Sequence, residues 1–144
     1  MSETGGAGGL DATARRRVLD ARVARLATVR PDGRPHVVPI TFALHGEKIV
    51  SAIDHKPKTT TNLQRLKNIE ANPFASVVID RYDEDWSTLW WIRADGSARI
   101  VEEGFDHETA VAQLAEKYAP YRSRPPRGPV IIIEVQRWST WSAQ

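Results

Sequence analysis

The chain has no cysteine, so disulfides, thiol nucleophiles and cysteine-held metals are all excluded. Its four histidines, His36, His45, His55 and His107, are scattered without the spacing that metal ligation requires. The longest apolar run, Val130 to Ile133, is far too short to cross a bilayer as a helix. The N-terminal stretch MSETGGAGGLDATARRR lacks the apolar core of a secretory signal, which makes the cytoplasm the expected location. A net charge of +2 supplies no broad basic field, so neither nucleic acid nor a membrane is expected as a partner. No phosphate loop, dinucleotide glycine fingerprint or nucleophile elbow occurs. The acidic groups Asp83 to Asp85 and Glu102-Glu103 fall at turns and strand ends, where solvation explains them.

What is present is 144 residues of ordinary hydrophobic content, enough for one domain with a real core. Residues 1–10 are Gly-rich and expected to form a disordered tail, and 11–144 a single domain. Asp11 can cap a helix running to about Val23. Ala24 to Val29 alternates as a strand, Pro31-Asp32-Gly33 turns, and His36 to Leu44 returns, with Pro39 predicting an edge or bulge. Lys48 to Ile53 and Phe74 to Tyr82 read as further strands. Ser87 to Ala94 and Ala98 to Glu103 read as two strands joined by an Asp95-Gly96 hairpin. A helix from Asp106, its N-cap, to Tyr118 follows, then a basic loop from Pro120 to Pro129. A last strand spans Val130 to Trp138, ahead of a short tail. Six or seven short strands with tight turns and few helices predict an antiparallel barrel with helical inserts.

The stretch His55 to Pro73, HKPKTTTNLQRLKNIEANP, links two of these strands. Lys56 and Lys58 precede Thr59, Thr60 and Thr61, and Thr61 with Gln64 makes a capping-box pattern. Leu63, Leu66 and Ile69 then share a helical face that Asn72-Pro73 ends. Two ammonium groups, hydroxyls and free N–H groups at a helix start suit a phosphate. The same pattern also describes a well-capped helix with solvated lysines. Five tryptophans, Trp86, Trp90, Trp91, Trp138 and Trp141, crowd the second half of the chain. Neighbours on a strand point to opposite faces, so Trp90 and Trp91 cannot both fill one small core. An interface or a planar-ligand pocket would accept the surplus.

The runs LATVRPDGRPHVVPITFAL, KIVSAIDHKPKTTTNLQRLKNIEANPFASVVID and DWSTLWWIRADGSARI resemble the flavin/deazaflavin oxidoreductases. That superfamily has the split β-barrel fold and includes pyridoxamine 5'-phosphate oxidase-like proteins. Within it the chain is most similar to the actinobacterial group that uses the deazaflavin coenzyme F420. The PDG hairpin marks the superfamily; the HKPK segment, LWW-x-R and closing RW-x-x-W mark the narrower group. The resemblance covers about Arg22 to Ala143. It implies a mainly β (α+β) fold, a six-stranded antiparallel split barrel of the FMN-binding type with flanking helices. It also implies a homodimer with cofactor sites at the interface.

The same resemblance assigns the cofactor phosphate to Lys56, Lys58, Thr59 and Thr60, although Lys56-Pro57-Lys58 stands where relatives carry an Arg-Lys pair. Backbone contacts to the ring would come from Val38, Pro39 and Ile40, with Ser51 and Ala52 on the adjacent strand. Trp86, Trp91, Arg137 and Trp138 would reach over from the partner subunit. By charge alone, the arginines of the Pro120 to Pro129 loop would suit the acidic oligoglutamate tail of a deazaflavin. The expected activity is F420-dependent hydride transfer to a small organic substrate. An FMN-binding oxidase-like protein is one alternative, and a non-catalytic carrier or sensor of a flavin or another planar ligand is a second. Tyr82, His36 and His55 are candidates for a general acid by elimination.

Overall fold

The computed structural model describes residues 2–6, 9–53 and 61–143 of the chain. In order, its elements are β1 (Ser2–Gly6), α1 (Ala12–Asp20), β2 (Ala24–Val29), β3 (Pro35–Ile40), β4 (Ala43–His45) and β5 (Lys48–Ala52). They continue with α2 (Thr61–Ala71), β6 (Phe74–Arg81), β7 (Trp90–Val101), α3 (Phe105–Lys117), α4 (Ala119–Ser123) and β8 (Val130–Ser142). All pairings are antiparallel. Seven strands follow one path, β3-β2-β6-β7-β8-β5-β4, rather than the six expected, and β1 adds itself to β8.

The sheet curls around a single interior. Leu26 of β2, Ile40 of β3, Leu44 of β4, Ile49 of β5, Ile79 of β6, Ile92 of β7 and Ile133 of β8 join one apolar cluster, with Val18 of α1 and Ile69 of α2. Burial of this kind is the main favourable term in folding. A second cluster lies on the other face of β4, β5 and β8, where α3 covers Val50, Ala52, Val130 and Ile132 with Ala110, Leu114 and Tyr118. The apolar run Val130 to Ile133 thus serves two cores. Ile131 and Ile133 point into the barrel, while Val130 and Ile132 point beneath α3.

Several boundaries differ from the sequence reading. The N-terminal stretch expected to be disordered supplies β1, whose Ser2 pairs with Ser142 and Gly6 with Trp138. The tail expected after Trp138 is the second half of β8, with an edge that β1 occupies. Asp95-Gly96 is not a hairpin turn: β7 runs straight through it for 12 residues, with a bulge against β8. The glycine serves close approach there, since a Cβ on Gly96 would collide with the carbonyl oxygen of Glu134. His36 to Leu44 is two strands, β3 and β4, parted at Thr41-Phe42. Asp11 caps α1 through Ala14 N–H at 2.8 Å, but the helix ends at Asp20. Gly104, at φ 94°, rather than Asp106, is the N-cap of α3. Asp106 instead bonds the Arg99 guanidinium at 2.9 Å.

Candidate functional site

β3 is a terminal strand of the sheet path. Its only partner among the described strands is β2, so its outer hydrogen-bonding edge is open, as Pro39 predicted. Its inward residues, His36, Val38 and Ile40, stand opposite Thr28, Leu26 and Ala24 of β2. Its outward residue Val37 is 61% exposed.

The two ends of β3 meet different elements. At the Ile40 end the chain passes into Thr41, whose carbonyl oxygen accepts the Ser51 hydroxyl of β5 at 2.7 Å. The Thr41 hydroxyl meets the Tyr121 hydroxyl of α4 at 2.9 Å. At the His36 end lies a buried polar chain: Gln64 of α2 donates to Asn68 at 2.7 Å, and Asn68 donates to Thr28 at 3.0 Å. Asn68 and Thr28 are both buried. Burial, with the guanidinium charges of Arg30 and then Arg65, holds the His36 imidazole below its ordinary pKa. Its Nδ1 is buried without a hydrogen-bond partner. Residues 54–60 join the end of β5 to the start of α2.

Of the site residues expected from sequence, Lys56, Lys58, Thr59 and Thr60 fall outside the described residues, as does His55. Val38, Pro39 and Ile40 lie on β3, half-buried, exposed and buried respectively. Ser51 is buried at the Thr41 junction. Ala52 points the other way, into the cluster beneath α3, because adjacent strand residues alternate faces.

The aromatic residues do not form one group. Trp91 and Arg137 share the outward face of β7 and β8, where the Arg93 guanidinium lies 5.5 Å from the Trp91 ring centroid. Trp138 is inward, 5% exposed, and its indole N–H donates to Glu47 at 2.9 Å. Trp86 is 67% exposed, outside the sheet on a short 3-10 turn, with Tyr82 as its neighbour. Trp90 packs on the interior cluster, so the two adjacent tryptophans do take opposite faces. Arg122 is engaged already, donating to the carbonyls of Ala115 and Glu116 at the end of α3.

Sequence reasoning missed Thr41, Tyr121 and Asn68, and gave Gln64 a capping role where it bonds Asn68. Asn68 was discoverable: it interrupts the apolar face of α2 between Leu66 and Ile69, and a polar residue there needs a buried partner.

A sheet curled around one core, helix-flanked and open along one terminal strand, defines an antiparallel α+β fold of the split-barrel class. The chain belongs to the pyridoxamine 5'-phosphate oxidase family, whose model matches residues 10–142. No curated protein matches it. Among solved structures, a conserved hypothetical protein from Mycobacterium tuberculosis is similar, at TM-score 0.76 and 22% identity over 96% of this chain and 88% of that one. The heme storage protein HutZ from Vibrio cholerae follows, at TM-score 0.70 and 19% identity, over 92% of this chain and 94% of its own. An FAD-binding protein from Mesorhizobium loti gives TM-score 0.65 and 19% identity, with 97% and 98% covered. At these identities the likeness is one of fold.

Proposed function

We propose that the protein is an oxidoreductase that binds a tricyclic redox cofactor along β3, with the deazaflavin F420 as that cofactor. The carrying observation is the placement of β3, open at its edge, with Ser51 of β5 bonded to the Thr41 that follows it and Asn68 of α2 bonded to the Thr28 that stands opposite His36. A flat ring set against that edge would find the backbone groups of Val37 and Pro39, which alternate with those of Val38 and Ile40 that pair with β2. Pro39 has no N–H, so it contributes only a carbonyl and shape. The buried, unpartnered Nδ1 of His36 is a polar atom in want of a partner at the same strand. When bound, the cofactor would supply the hydride chemistry.

Lys56, Lys58, Thr59 and Thr60, at the entry to α2, would hold its phosphate. A homodimer would bring Trp91 and Arg137 of one subunit, on their shared outer face, toward the other's β3. A small organic acceptor in the cytoplasm would complete the reaction.

FMN is the second reading. The family match, and the FAD-binding protein among the similar folds, favour a flavin equally well. A non-catalytic role in holding a planar ligand finds its counterpart in the heme storage protein of the same fold. Parallel fluorescence titration of the purified protein with F420 and with FMN separates these. Tight F420 binding with weak FMN binding supports the first reading. The reverse moves the protein to the flavin branch, with oxygen uptake as its assay. Binding of neither removes both, and sedimentation of the same sample reads the dimer.

A further inference from the structure

A groove of about 740 Å³ opens between the C-terminal end of α1, the end of β6 and the start of β7. That volume is in the range of roughly 300–1,000 Å³ typical of small-molecule sites. No residue of β3, β5 or α2 lines it, so it is separate from the site described above. One wall is apolar, made of Val23, Leu89 and the indole of Trp90.

The rim is basic, and its charges are not all neutralised. Four arginines and two aspartates line the groove. Arg16 pairs with Asp20 at 3.5 Å, Asp80 with Arg25 at 3.4 Å, and Arg81 with Asp83 at 3.3 Å. Arg17 and Arg22 remain, and among the described residues neither has a carboxylate in ion-pair reach. The Arg17 guanidinium lies 5.0 Å from the centroid of the Trp90 ring, which presses one face of the cation on the wall and leaves its N–H edge for the groove. Arg22 is steadied by its bond to the Lys117 carbonyl at 3.1 Å and by the Tyr118 ring at 4.8 Å. Two preset cations at the edge of an apolar, aromatic wall match an anion carried on a flat apolar body.

We propose that this groove is a binding site for an aromatic carboxylate, with Arg17 and Arg22 receiving the carboxylate and Val23, Leu89 and Trp90 the ring. A carboxylate suits it better than a phosphate. The guanidinium fork offers two parallel N–H donors to two oxygens. The hydroxyls of Ser87 and Thr88, which would serve a third oxygen, already donate to Asp85 at 2.7 and 2.8 Å. The site stands whichever cofactor, if any, β3 binds.

The test uses 2-naphthoate and its neutral isostere 2-naphthamide, titrated calorimetrically into the full chain. Wild-type protein should bind the naphthoate about tenfold more tightly than the amide, the scale of a charge-assisted hydrogen bond weakened by solvent exposure. The indole N–H resonance of Trp90, assigned with Trp90→Phe, should shift on naphthoate addition. An Arg17→Gln/Arg22→Gln variant with an unchanged unfolding midpoint should bind both probes equally. Equal affinities in the wild type, an unmoved Trp90 resonance, or a naphthoate preference that survives in the variant would each overturn the assignment. The two wild-type measurements decide the matter even if the double variant does not fold.

Discussion

The ammonium nitrogen of Lys117 lies 3.9 Å from the centroid of the Phe42 ring and 5.4 Å from that of Tyr118, buried with no hydrogen-bond acceptor. The rings favour the charge by about 0.5–2 kcal/mol. Burial opposes it and prevails, helped by the neighbouring Arg22, so the Lys117 pKa falls from 10.5 to about 8. Between those values the unfolded chain binds the proton more tightly, and stability gains a rising contribution from this residue as pH increases. Below about pH 8 the penalty is constant. Lys117→Met should therefore be more stable than wild type at pH 7, by on the order of 1 kcal/mol after allowance for solvent screening. That advantage should shrink through the alkaline range. Denaturant midpoints of both proteins at pH 7 and 10 check it; an advantage that is constant or grows with pH contradicts it.

Asn68 links Gln64 to Thr28 across the α2–β2 interface, and the Asn68–Thr28 bond is buried. Asn68→Ala removes the acceptor for Gln64 and the donor for Thr28. The expected loss is about 2–3 kcal/mol, because the Thr28 hydroxyl stays buried and unsatisfied. Asn68→Ala with Thr28→Val should recover part of that loss. Urea unfolding of the single and double variants reads the difference, and equal losses in both would contradict the linkage.

Gly96→Ala should be more damaging than its one added methyl suggests. The new Cβ meets the backbone of Glu134, which cannot swing aside as a side chain would. A loss of roughly 2 kcal/mol or more is expected from this overpacking. Gly33, at φ 90° with open space around it, offers the contrast: there Ala is strained by its backbone conformation alone. A thermal midpoint unchanged by Gly96→Ala would show that the two strands can part at the bulge without cost.

Lys58→Ala should weaken cofactor binding by about 10- to 100-fold, corresponding to roughly 1.5–3 kcal/mol for a charge-assisted hydrogen bond to phosphate. Lys67 on α2, exposed on the helix surface, is the control: Lys67→Ala should leave binding unchanged. Fluorescence titration with F420 or FMN, whichever binds the wild type, gives both numbers. Equal affinity for wild type and Lys58→Ala removes the phosphate role.

The strands β2, β5 and β6 and the helices α1 to α3 were legible because local patterns specify them: alternation, caps, and Asn72-Pro73 as a stop. Gly96 was misread for a physical reason. Asp-Gly means a hairpin when glycine is needed for positive φ, but here glycine is needed for space, and only the neighbouring strand reveals that. The extension of β8 past Trp138 and the ordering of Ser2–Gly6 into β1 share one cause. Each edge is supplied by the other, from opposite ends of the sequence, and no local pattern records a partner so distant. The open edge of β3 was legible from Pro39. The buried Gln64–Asn68–Thr28 chain was not, since it joins a helix to a strand that is separated from it by three other strands in sequence.

β8 pairs with β7 along one side and with β5 and then β1 along the other, so three strands that precede it converge on it. None of those pairings can begin while β8 is still missing from a growing chain. The two cores beneath Val130 to Ile133 stay open to water until then as well. Such long-range closure must be reached before it is rewarded, which makes for slow folding. A nascent chain lacking β8 would expose the edges of β7 and β5 together, and would be a substrate for chaperones at that stage of its synthesis.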